Sequence, residues 1–122
     1  MDEKNVQLTT PVEASFARSV RMTAATLAVC CGMSVDDVED VRMIAEEGFV
    51  YTCATEPDEV RVSFSLSEGS MSMDFVLGAA EPEGESIELT HVLLAAVCDE
   101  FSVLDDGATL RLVKRADGAH DE

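Results

Sequence analysis

The stretch SVDDVEDVRMIAEEGFVYT, residues 34–52, constrains this chain more than any other. Ser34 suits a helix N-cap, and Asp37, three residues on, suits the reciprocal half of a capping box. Asp36, Asp37, Glu39 and Asp40 crowd the first turn, where the helix dipole favours negative charge. Val35, Val38, Val41, Ile44, Ala45 and Phe49 recur at three- and four-residue steps, which predicts one apolar face on a long helix. Glu47 and Tyr51 stand four apart and so share a face, one turn from each other.

Before this helix, residues 4–9 alternate weakly, with Val6 and Leu8 inward, and read as an edge strand. Thr10, Pro11 and Glu13 read as cap, first helical position and capping-box partner of a first helix. Its expected inner set is Phe16, Val20, Met22 or Thr23, Leu27 and Cys31, and Gly32 ends it in the left-handed conformation.

After it, the Glu56, Pro57, Asp58 turn leads to Val60, Val62, Phe64 and Leu66 alternating with polar residues. A hairpin at residues 67–70 then leads to Met71, Met73, Phe75 and Leu77, the antiparallel partner. Residues 78–85 are a loop, with Ser86 as the expected cap of a third helix that buries Ile87, Val92, Leu93, Ala96 and Cys98. A short strand at 101–104, a turn at Asp105, Asp106 and Gly107, and a strand at 108–114 close the chain.

The order β-α-α-β-β-α-β-β predicts an α+β fold: a two-layer sandwich with helices on one face of a mixed, mainly antiparallel sheet. Residues 1–115 form one expected domain, and 116–122 a flexible acidic tail.

Charge narrows the function. The formal net charge of -17 repels nucleic acid and anionic lipid, so neither is an expected partner. No apolar run reaches membrane-spanning length and the first residues lack signal-peptide character, so a cytoplasmic location is expected. Cys30, Cys31, Cys53 and Cys98 show no CxxC spacing, and His91 and His120 make no ligand pair with them, so no metal site is expected. The thiols read as small buried hydrophobes, with redox sensing through Cys30, Cys31 or Cys53 as the other use.

Three passages taken together resemble one family. They are residues 16–47, FARSVRMTAATLAVCCGMSVDDVEDVRMIAEE, the strand pair ahead of a short loop, and residues 95–115, AAVCDEFSVLDDGATLRLVKR. In order and spacing they are similar to the anti-sigma-factor serine kinases of bacterial partner switching. Those belong to the ATPase superfamily of histidine kinases, gyrase and a class of heat-shock chaperones. The resemblance implies that superfamily's fold, a sigma factor or anti-anti-sigma protein as partner, and a homodimer.

It also implies a nucleotide site that can be compared residue by residue. The family's second helix carries a Glu as general base and, four residues on, an Asn that holds magnesium. Glu47 matches the first and Tyr51 stands at the second. A phenol is a poor ligand for magnesium, which takes hard oxygens in octahedral geometry, and its ring would fill the phosphate site. The family's Asp-x-Gly-x-Gly loop, which reads adenine, corresponds to residues 77–84, with Gly78, Glu81 and Gly84 at or near motif positions but no Asp. Pro82 stiffens that loop, and Glu85 and Glu88 stand at the helix start where a glycine-rich turn would cradle phosphate. The lid between these motifs is shortened.

The expected function is therefore an anti-sigma-factor-like regulator that works by protein-protein binding, with no cofactor and no metal. The alternative is an active ATP-binding serine/threonine protein kinase of the same family, with Glu47 as catalytic base and ATP and magnesium bound through the family site.

Overall fold

The computed structural model describes residues 2–116. Most of the tail expected over 116–122, and His120 with it, lies outside the described residues.

Five strands form one sheet: β1 (Lys4–Thr10), β2 (Val60–Ser67), β3 (Ser70–Val76), β4 (Glu100–Leu104) and β5 (Thr109–Arg115). Their order across the sheet is β1-β2-β3-β5-β4. All four pairings are antiparallel, narrower than the mixed, mainly antiparallel sheet expected. Three helices, α1 (Ala17–Cys30), α2 (Val35–Ala54) and α3 (Glu85–Val97), make the second layer.

The strand alternation decides which face is covered. Val60, Val62, Phe64 and Leu66 of β2, Met71, Met73 and Phe75 of β3, and Leu110 and Leu112 of β5 are all buried. They meet Val41, Ile44, Ala45 and Phe49 of α2 in one core. The other face is polar, and Arg111 forks both carboxylate oxygens of Asp74 there at 2.9 and 2.8 Å. One charge points inward: Lys114, at the edge of burial, reaches Asp40 of α2 at 3.1 Å.

The capping box of α2 is present. Asp37 N–H donates to Ser34 Oγ at 3.2 Å, and Ser34 N–H donates to Asp37 Oδ2 at 3.4 Å. Val35 is the exception to the predicted face. It is 79% exposed, because the first residue after the cap precedes the turn that touches the sheet.

The start of α1 differs from expectation. Thr10 is the last residue of β1, opposite Val60, and its hydroxyl donates to the Pro11 carbonyl instead of capping a helix. A 3-10 turn at Ala14–Phe16 intervenes, and α1 begins at Ala17 with no side-chain cap. The register of β1 holds Thr10 in the sheet, and that overrides the local cap signal. The inward residues of α1 are Val20, Ala24 and Ala28, while Phe16 and Leu27 are partly buried and Met22 is exposed. Small residues face inward because α1 packs closely along α2, with Arg21 reaching Glu46 at 2.6 Å.

Gly32 ends α1 with φ +79, as expected. Met33 N–H bonds the Ala28 carbonyl at 3.2 Å and Gly32 N–H bonds the Val29 carbonyl at 3.0 Å, the pair that closes a helix with a left-handed residue. The Gly69 N–H then bonds the Cys31 carbonyl at 3.0 Å, tying this corner to the β2–β3 hairpin.

Two further expectations are corrected at α3. Its N-cap is Gly84 (φ +108), and Ser86 lies inside the first turn without capping. Its buried residues are Ile87, Thr90 and Leu94; Val92 is 64% exposed and Ala96 is exposed. Ile87 and Leu94 are two turns apart with Thr90 between them, so the helix faces inward through one polar residue. Choosing the most apolar set placed the face about a third of a turn off.

The thiols divide. Cys31 is buried, Cys53 and Cys98 are partly buried, and Cys30 is exposed, which corrects the expectation that all four are core residues. All four are free.

Candidate functional site

The C-terminal half of α2 holds two of the sequence-predicted residues, and each has its own surroundings. Glu47 faces α3. Its Oε1 accepts the Thr90 hydroxyl at 2.8 Å, a bond between residues 43 apart in sequence. One turn on, the Tyr51 ring stacks on His91 of α3, with centroids 5.4 Å apart and planes 24° apart. His91 in turn meets Phe101 of β4 edge-on, also at 5.4 Å. The seam between α2 and α3 is thus closed by a hydrogen bond and a run of three rings.

Tyr51 is only 6% exposed. Burial, and after it the charge of Glu81, push its phenol above the ordinary value, so the hydroxyl is protonated at neutral pH. Its side chain lines a cleft of about 470 Å³.

That cleft is built by a strap. Thr55, just past the end of α2, uses one hydroxyl twice: it donates to the Thr52 carbonyl at 2.6 Å and accepts the Gly78 N–H at 2.7 Å. The Thr55 carbonyl accepts Ala80 N–H at 3.0 Å, and Leu77 N–H bonds the Ala108 carbonyl at 2.9 Å. The loop after β3 is therefore fixed on one side to α2 and on the other to the β4–β5 hairpin.

Gly78 is required for this. A Cβ there would overlap the Thr55 carbonyl oxygen and lie 2.6 Å from backbone atoms of Glu56 and Pro57. Gly78, which the resemblance puts at or near the adenine-reading motif, packs here against the backbone that follows α2.

Tyr51, Gly78 and Glu81 come together on this cleft, with Thr55, Pro82 and Asp106 beside them. Glu47 and Gly84 do not line it. Glu47 sits on the α2–α3 seam, and Gly84 opens α3, with Glu85 and Glu88 in the first turn behind it.

Thr55, Thr90, His91 and Asp106 were not singled out as site residues from the sequence. For Thr90 a signal existed, three residues after Ile87 on a helical face. For His91 and Phe101 none did, since their meeting depends on how α3 leans on β4. Among the described residues no group of three or more His, Cys, Asp or Glu is placed to hold a metal ion. Among the described residues no helix is long and apolar enough to cross a membrane.

Neither a family model nor a curated protein matches the sequence. Solved structures do match the fold. One is the crystal structure of the RsbU and RsbW domains of Rv1364c from Mycobacterium tuberculosis, with a TM-score of 0.66 and 13% identity. The match covers 93% of this chain and 32% of that one, so the chain spans about a third of that protein's length. The fold is an α+β two-layer sandwich of the kind found in that RsbU and RsbW structure.

Proposed function

We propose that this chain is an anti-sigma-factor-like regulator that acts by binding a protein partner without nucleotide chemistry. The fold it shares with a structure containing an RsbW domain supports the regulator class. The observation that carries the nucleotide-free reading is the latch between α2 and α3. Glu47, at the position of the family's base, is engaged by Thr90, and Tyr51, at the position of the magnesium ligand, is stacked on His91.

The residues present do not fit magnesium nucleotide. Tyr51 offers a neutral phenol where a compact oxygen is needed. Glu81 and Asp106 border the cleft with no Lys, Arg or His among its lining residues. Glu85 and Glu88 occupy the helix start that would have to accept phosphate. A triphosphate entering there meets only like charge.

The partner is a sigma factor or an anti-anti-sigma protein that presents a basic face to this acidic chain. The chain itself pairs as a homodimer. The test is capture from extract of the native cell with the tagged chain, followed by binding of the purified partner in nucleotide-free buffer. The expected result is a sigma factor or anti-anti-sigma protein bound equally with and without magnesium ATP. Capture that depends on ATP, or serine phosphorylation of the partner from labelled ATP, contradicts the proposal.

A further inference from the structure

The cleft beside Tyr51 has a donor–acceptor balance of its own. Leu77, Pro82 and Val103 supply apolar wall. Glu81 and Asp106 stand on it from two separate loops, one after β3 and one in the β4–β5 hairpin. Neither carboxylate makes an ion pair or a hydrogen bond among the described residues. The basic side chains pair elsewhere on the molecule: Arg111 with Asp74, Arg115 with Glu100, Lys114 with Asp40.

Tyr51 supplies an independent observation. It is more than nine-tenths buried, it lines the cleft, and its hydroxyl has no hydrogen-bond partner among the described residues. The hydroxyl oxygen still touches the solvent of the cleft, and a guest that donates to it takes the place of water there. Two residues with carboxylates and one with a phenol line the cleft, and no cationic side chain lines it. The guest they suit is rich in N–H donors and positively charged.

We infer that the cleft receives the guanidinium or ammonium group of a side chain on a basic protein partner. This rests on the nucleotide-free, partner-binding reading and names the chemistry of the contact. A guanidinium carries five donors and no acceptor, so it can fork to one carboxylate and still reach the other and the phenol. Its alkyl stem would lie along Leu77 and Val103. The cleft is open at Glu81, Asp106, Gly107 and Ala108, all exposed. A side chain can therefore enter while its own backbone stays outside. A free metabolite would lack the enclosure that small-molecule sites provide.

The test is a titration of the full isotope-labelled chain followed by amide NMR. The probe is N-acetyl-L-arginine amide, a side chain with both backbone ends blocked. N-acetyl-L-citrulline amide is its neutral isostere, and free L-arginine is the metabolite form. The expected result is saturable shifts at the amides of Gly78, Ala79 and Gly107 with the blocked arginine and none with citrulline. Free arginine, whose charged amine and carboxylate must stay hydrated at the rim, binds no more tightly than the blocked form.

Y51F keeps the ring and the fold and weakens the probe a few-fold. E81Q combined with D106N, both on exposed residues, weakens it about tenfold or more. Equal shifts from citrulline, no saturable shift from blocked arginine, or no weakening in the double variant overturns the inference. Tighter binding of free arginine overturns the choice of a partner side chain. A parallel titration with a non-hydrolysable ATP analogue and magnesium separates the two readings. Saturation by the analogue removes the nucleotide-free reading. Silence from both ligands removes only the inference drawn here.

Discussion

At the scale of single residues, the site turns on side chains whose partners were invisible in sequence. Glu47 and Tyr51 were legible as a pair because a spacing of four on a periodic helix fixes their common face. Their partners Thr90 and His91 were not, because those contacts arise between elements 40 residues apart. Thr90→Val keeps the volume and removes the hydroxyl that holds Glu47. It is expected to lower stability by about 1 kcal/mol, measured as a shift in the denaturant midpoint. An unchanged midpoint would mean that water holds Glu47 equally well.

Gly78→Ala is more severe, since the added methyl meets fixed backbone. A loss of about 2–3 kcal/mol is expected in the same assay. The thiols should differ in reactivity. Burial, and after it the charge of Asp99, push Cys98 up to about 12 against the opposing pull of Lys114. Burial also pushes up Cys31 and Cys53. Mass spectrometry after brief alkylation near pH 8 should therefore find Cys30 modified first and Cys98 last.

The raised Cys98 value also sets a sign for stability. A folded value above the unfolded one stabilises fully below the ordinary value of 9.0, and that contribution is lost as pH rises toward about 12. The denaturant midpoint should fall over that range, and less steeply in Cys98→Ser. A midpoint that rises above pH 9 would contradict the assignment.

At the scale of elements, the sequence was most readable where period and cap agree. For α2 the cap, the first-turn acids and the apolar step all pointed one way, and helix and capping box both appear. Ser34→Ala removes the side-chain half of that box and should cost about 1 kcal/mol, or about 4 °C in Tm for a chain of this size. The strand pairs were equally legible, because alternation of apolar and polar residues fixes which face of each strand covers the core.

Reading failed where a local signal competed with a distant one. At Thr10 a good cap lost to seven paired residues of β1 and β2. In α3 the richest apolar set lost to a face centred on Thr90, whose hydroxyl is needed by Glu47 on another helix. In α1 Val20 faces inward as expected, but the rest of the buried face is Ala24 and Ala28, which carry little hydrophobic signal and allow α1 and α2 to approach closely.

At the scale of the whole molecule, charge is unevenly placed. Of the 25 acids only Asp2, Glu3 and Glu13 precede Ser34, so the acid lies on α2, α3, the loops and the strands that follow. A net charge of -17 repels itself in the folded state. Raising NaCl from about 20 to 200 mM shortens the screening length and should raise Tm by a few degrees. A fall in Tm would mean that ion pairs such as Arg111–Asp74 outweigh that repulsion. The same field disfavours a triphosphate and favours a basic protein surface, which joins the latch at Glu47 and Tyr51 to the proposed function. The most direct test is calorimetric titration of the chain with a non-hydrolysable ATP analogue and magnesium, repeated on Glu47→Gln. No saturable heat is expected for either protein; micromolar binding to the native chain that Glu47→Gln abolishes would overturn the nucleotide-free reading.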